Sequence, residues 1–231
     1  GASATDTLDG EITLTMSGLV LEHTPGDYNL TYSATDATGN TSTATRKVTV
    51  QDTIAPVITL SGSATMTHEA ATLYIDEGAS AEDAVDGTVT VATSGLLTVG
   101  TPGTYTLSYS VTDATGNTST ETRTIEVKDT VGPVITLSGS ATMTHEAGTA
   151  YSDEGVDAED AVDGIVTVTS SGSVTEETLG VYTLSYSATD AAGNTSTATR
   201  KVTVQDTTGP LITLSGSATM THEAATLYID E

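Results

Sequence analysis

The chain repeats itself every 77 residues, almost letter for letter, so its fold must be one that a unit of this size closes by itself or against its neighbours. Residues 52–77 read DTIAPVITLSGSATMTHEAATLYIDE, residues 206–231 differ from them only at the positions of Ile54, Ala55 and Val57, and a third copy starts at Asp129. Self-similarity on this scale predicts an array of small modules rather than one large domain built around an active site. Complete copies are expected over 52–128 and 129–205. Residues 1–51 read as a partial module lacking its first strands, and residues 206–231 as the first strands of a further module. The two partial pieces, 51 and 26 residues long, add up to one repeat. Two explanations fit: a window taken from a longer array, or a trailing piece that completes the leading piece of the next chain by head-to-tail strand complementation.

Within a module the apolar residues recur at every second position. In 104–112, Tyr105, Leu107, Tyr109 and Val111 alternate with Thr and Ser, and the other copies keep the pattern as Tyr28, Leu30, Tyr32, Ala34 and as Tyr182, Leu184, Tyr186, Ala188. That period places one side of a strand inside and the other in water. Ile125 and Val127 continue the pattern in a final strand, and the intervening TDATGN supplies a turn in which Gly116 can take positive φ and Asp113 can accept backbone N–H groups. Upstream, 56–60, 63–70, 87–93 and 95–99 give further short strands, with Pro56 tolerated at an edge position. About seven short strands between turn signals, with no helical period, predict an all-β fold of antiparallel β-sandwiches.

The charge balance narrows the partners. Thirty-one acids against six bases give a net charge of −25. Neither nucleic acid nor an anionic membrane surface is an expected partner, because phosphate binding needs clustered Lys and Arg. Divalent cations are the natural counter-charge: residues 52–128 alone hold ten acids and two bases. There is no cysteine and hence no disulfide, so a domain this small is expected to draw on metal or neighbouring modules for support. No apolar run approaches the roughly 20 residues of a membrane span. The absence of a signal peptide and of an initiator Met reads as a mature or excised piece, and high Thr, Ser and Gly content without Cys suits a secreted bacterial surface protein.

The order of motifs is DTxxP, then DEG, then DxVDG, then GxYxLxYxxTDxxGN. Pro102-Gly103-Thr104-Tyr105 places a tyrosine at a strand entry after a glycine turn, as in the tyrosine corner of immunoglobulin-like sandwiches. Taken whole, the chain resembles bacterial immunoglobulin-like tandem repeats of large surface proteins and adhesins, with a pattern related to hyalin-repeat and cadherin-like modules. The resemblance implies immunoglobulin-like modules in a secreted or cell-surface stalk, stiffened by calcium.

Two acidic groupings are the candidate Ca²⁺ sites. The first is Asp76, Glu77, Asp83 and Asp86, with equivalents Asp153, Glu154, Asp160 and Asp163, and Asp6 and Asp9 in the leading piece. Carboxylates separated by Gly and small residues offer the hard, flexible oxygen set that Ca²⁺ takes. The second is the linker acid Asp52 with Asp113 and Asn117, repeated as Asp129 with Asp190 and Asn194. An immunoglobulin-like topology brings these to one end of the module, where one ion would brace the junction. The alternative for both is plain turn chemistry, with Asp113 and Asn117 capping their own loop and Asp52 a surface residue.

His68, His145 and His222 share a strand face with Met66, Met143 and Met220 and are expected as partly buried, hydrogen-bonded residues, a transition-metal site being the other reading. Nothing pairs a nucleophile with a base, so no enzyme is expected. Thr124 stands in the middle copy at the position of Lys47 and Lys201, which argues against a repeated Lys–Asn cross-link. Asn40, Asn117 and Asn194 lie in N-T-S sequons and Asn29 in N-L-T, acceptors only in an organism that glycosylates asparagine.

The leading expectation is a non-enzymatic spacer on a bacterial surface or in an extracellular fibre, its partners being neighbouring modules of the same or an identical chain. Strands of about ten residues rise about 33 Å, so three modules in line would span on the order of 100 Å. The alternatives are a filament subunit joined by strand complementation, giving a homopolymer, and an adhesive module binding glycans or cells. The inward placement of the tyrosines argues against the last, since sugar stacking needs exposed rings.

Overall fold

A computed structural model describes residues 1–229. They are strands and turns without a helix, and no helix in them is long and apolar enough to cross a membrane. Contacts divide the chain into two compact units, 1–129 and 130–231.

The first unit opens with β1 (Ala4–Asp6), β2 (Gly10–Ile12), β3 (Thr15–Ser17), β4 (Gly26–Thr35) and β5 (Thr41–Val50). It continues with β6 (Val57–Leu60), β7 (Thr65–Glu69), β8 (Ala79–Asp83), β9 (Gly87–Val89), β10 (Ala92–Ser94), β11 (Gly103–Thr112) and β12 (Thr118–Lys128). The second unit holds β13 (Val134–Leu137), β14 (Thr142–Glu146), β15 (Val156–Asp160), β16 (Gly164–Ile165), β17 (Val168–Ser171), β18 (Gly180–Thr189) and β19 (Thr195–Gln205). Described residues after β19 form no strand.

In the complete repeat of the first unit, a three-stranded sheet β6-β8-β9 packs on a four-stranded sheet β10-β11-β12-β7. The second unit has the same pair, β13-β15-β16 and β14-β19-β18-β17. The alternation sets the core: Leu107, Tyr109 and Val111 of β11 and Ile125 and Val127 of β12 are buried, as are Leu184, Tyr186, Ala188, Val202 and Val204 in the second unit. The tyrosine corner is present three times, the Tyr28, Tyr105 and Tyr182 hydroxyls donating to the carbonyls of Thr24, Thr101 and Thr178 at 2.8, 2.8 and 2.9 Å.

One pairing lies outside the alternation argument. β6 runs antiparallel to β8, but the chain then crosses to the other sheet and β7 pairs parallel to β12, Thr65 opposite Thr124 and Glu69 opposite Lys128. The crossing is at Ser61-Gly62-Ser63. Gly62 has φ +79°, which favours glycine, and a Cβ there would have to displace the Glu77 carboxylate. β14 repeats the parallel pairing on β19, whereas β5 has no parallel partner among the described residues.

Candidate metal centre

The loop between β8 and β9 is built on Asp83. Its Oδ1 accepts the N–H groups of Val85 and Asp86 at 2.7 and 3.0 Å, a local bonding pattern for which the short Asp side chain is suited. Asp86 then reaches across: its Oδ2 accepts the N–H of Ala114 at 2.8 Å and ties this loop to the one joining β11 and β12. Asp163 to Ala191 and Asp9 to Ala37 repeat the tie at 2.7 and 3.0 Å.

The second loop is organised by Asp113. Its Oδ1 accepts from the Thr115 N–H, the Thr115 hydroxyl and the Asn117 N–H at 2.9, 3.0 and 2.8 Å, and its Oδ2 accepts from Asn117 Nδ2 at 2.7 Å. Burial works against ionisation of Asp113, but these hydrogen bonds, Asn117 first, outweigh it and hold the carboxyl below its usual range. Asp190 is held down in the same way, with Asn194 as the main donor, and in the leading part Asn40 and then Thr38 hold Asp36 at about 2.

The linker joins these loops. Asn117 Nδ2 also donates to the carbonyls of Asp52 and Ile54 at 3.4 and 3.3 Å, and Ser119 Oγ donates to the carbonyl of Pro56 at 2.5 Å. Asp52, Asp83 and Asp113 therefore converge, each offering a carboxylate oxygen within 4.8 Å of the other two. Asp83 and Asp113 are 8% and 7% exposed. The buried Oδ2 atoms of Asp52 and Asp83 accept no hydrogen bond. Three carboxylates in mutual range with unused buried oxygens form a hard, all-oxygen donor set, and a divalent cation fits it.

The structure thus redistributes the residues of the two sequence groupings. Asp83 joins Asp52 and Asp113. Asn117 contributes its amide donor to the arrangement. Asp86 braces the two loops through a backbone N–H. Glu77 lies against Gly62, and Glu154 against Gly139. In the second unit, Asp160 and Asp190 are buried and Asp160 keeps the Asp83 turn, accepting from the N–H groups of Val162 and Asp163 at 2.7 and 3.1 Å. Asn194 donates its N–H and its Nδ2 to Asp190 at 2.7 and 2.8 Å. Asp129, the repeat equivalent of Asp52, is the last residue of the first unit.

Asp76 is engaged elsewhere, with a residue that pattern reading passed over. Arg123 is 1% exposed and pairs with the Asp76 carboxylate. Its Nε donates to the Ser63 carbonyl at 3.0 Å and its Nη2 to the carbonyls of Ser61 and Gly78, capping the backbone groups released where the first strand changes sheets. The Tyr109 hydroxyl donates to Asp76 at 2.8 Å, and burial followed by this carboxylate pushes its pKa up to about 12. Arg200, Asp153 and Tyr186 repeat the cluster. The signal was available in sequence, since Arg123 lies on the inward parity of Ile125 and Val127. In the leading part the equivalent Arg46 is exposed, lies 5.7 Å from the Tyr32 ring and donates to the Gly1 carbonyl at 2.9 Å. His68 is half-buried, with Nε2 3.2 Å from the Thr72 hydroxyl and the ring edge-on to Tyr74.

Comparison with known proteins places these features. A family model described as "Bacterial surface protein, Ig-like domain" matches residues 1–50, 58–127 and 135–204. An uncharacterised 81.3 kDa protein of Acholeplasma phage L2 is 30% identical over 83% of this chain, which spans 28% of that relative's length. Among solved structures, a lipoprotein of Bacteroides thetaiotaomicron is 31% identical over 34% of this chain and 40% of its own, with a TM-score of 0.31. Mouse cadherin-23 EC22-24 is 14% identical over 89% of this chain and 90% of its own, with a TM-score of 0.33.

Proposed function

The chain belongs to the family of bacterial surface protein Ig-like domains, and from that premise we propose that it is a non-enzymatic structural spacer of an extracellular surface protein, adhesin or fibre, with Ca²⁺ bracing the start of the complete module 52–128. The observation that carries the calcium reading is Asp83, 8% exposed with an Oδ2 that accepts no hydrogen bond, facing carboxylates of Asp52 and Asp113. Burying like charges together is costly without a counter-ion. Ca²⁺ suits the set better than Mg²⁺, because irregular loops supply a flexible oxygen shell whereas Mg²⁺ demands near-octahedral geometry. Asp52 sits in the linker, so an ion held with Asp83 and Asp113 fastens the linker to the module it enters.

Calorimetric titration of the 231-residue chain with CaCl₂ tests this. A Kd of about 10⁻⁴–10⁻³ M is expected, and Ca²⁺ at 100 times Kd adds about 2.7 kcal/mol of stability. Asp83→Asn keeps the Oδ1 turn and weakens binding at least tenfold. A melting curve indifferent to chelator removes calcium from the proposal.

Against glycan recognition stands the position of the rings: Tyr109 and Tyr186 are 0% and 1% exposed and the corner tyrosines are half-buried.

A further inference from the structure

Parallel pairing of β14 with β19 ends at Glu146 opposite Gln205, which brings the Glu146 side chain to the point where the chain leaves the last strand. There its carboxylate collects four donors. Oε1 accepts from the Thr207 N–H at 2.8 Å, the Thr208 N–H at 3.2 Å and the Thr208 hydroxyl at 2.9 Å; Oε2 accepts from the Thr207 hydroxyl at 2.7 Å. Asp206 Oδ1 adds an acceptor for the Thr208 N–H at 3.1 Å. Two successive backbone amides aimed at one carboxylate oxygen restrict the peptide planes on either side of Thr207 together, which hydroxyl contacts alone would not do.

From this geometry we infer that Glu146 is a positioning residue that clamps the linker leaving β19 and sets the direction in which the chain exits the module, without any metal. The clamp's four carboxylate contacts use none of Asp129, Asp160 and Asp190 and hold the outgoing end of the chain, where Asp206 is the repeat equivalent of the linker acid Asp52. Part of it recurs in sequence: Glu69 precedes Asp129-Thr130 in the order in which Glu146 precedes Asp206-Thr207, with Val131 at the position of Thr208. A module array needs such a device, because the exit direction of one last strand is the entry direction of the next first strand. The hydrogen bonds from Thr207, then Thr208, hold the Glu146 carboxyl at about 2.

Amide hydrogen exchange of the full chain, read by NMR in the presence of chelator, tests the clamp. The Thr207 and Thr208 amides should be protected in the unaltered chain, and Glu146→Ala should speed their exchange at least roughly tenfold, two lost charge-assisted hydrogen bonds being sufficient for that. The Val202 and Val204 amides of β19 should keep their protection, and Glu146→Gln should restore part of the loss. Unprotected Thr207 and Thr208 amides in the unaltered chain, or exchange that Glu146→Ala leaves unchanged, overturn the inference. Should Glu146→Ala unfold the module, the carboxyl titration of the unaltered chain decides: a midpoint near 2 supports the clamp, and one near the ordinary 4.3 refutes it.

Discussion

Replacing Asp76 by alanine isolates the buried pair that closes each complete module. Arg123 is 1% exposed at its side chain and Asp76 24%. Without Asp76 the guanidinium keeps the carbonyls of Ser61, Ser63 and Gly78 and its place 5.6 Å from the Tyr109 ring, but it loses its counter-charge, and the Tyr109 hydroxyl loses its acceptor. Breaking one side of a buried pair costs about 3–5 kcal/mol; partial exposure of Asp76 and the three surviving carbonyls put this case at the lower end, about 3 kcal/mol. That corresponds to roughly 150-fold in an opening equilibrium. Global unfolding of a multi-unit chain is not two-state, so the reading should be local: native-state amide exchange of β12, with β19 as an internal control because the Asp153–Arg200 pair is intact. Asp76→Asn, which keeps an acceptor for Tyr109, should fall between. Protection of β12 within threefold of the unaltered chain, or an equal loss in β19, would refute the argument.

Tyr105→Phe keeps a half-buried ring and deletes only the hydroxyl bond to the Thr101 carbonyl, so it should cost about 1 kcal/mol, measured as the same local exchange in β11; no change would mean the corner is ornamental to stability. Asp36 is held at about 2 by Asn40 and Thr38, below the unfolded value of about 3.9, so its contribution is full above about pH 4 and is lost as pH falls through about 2. Carboxyl NMR should show that midpoint together with shifts of the Thr38 and Asn40 amides, and a midpoint near 4 would contradict the loop geometry.

Much of this protein is legible in its letters. The 77-residue repeat and the two-residue period place the long strands β4, β11 and β18 and their partners, because side chains on a strand alternate between core and water whatever the rest of the chain does. The tyrosine corner and the Asp113 loop were equally local, each closing within five residues. Arg123 was in the pattern too, on the inward parity, but a charge there reads as interior only once the carbonyls of Ser61 and Ser63 are known to need donors.

Only the tertiary structure decided which acids meet. Asp76 and Asp83 are seven positions apart in sequence, yet β8 between them is extended, and five strand residues rise roughly 16 Å, so one acid lies with the buried arginine and the other with the linker at the opposite end. The crossing of the first strand from one sheet to the other was equally hidden: it depends on a partner, β12, that enters the chain some fifty residues later, and no local period carries such a pairing. Strand identity is a property of neighbouring residues, whereas a carboxylate cluster is a property of where strands end, and that is fixed by the packing of the two sheets.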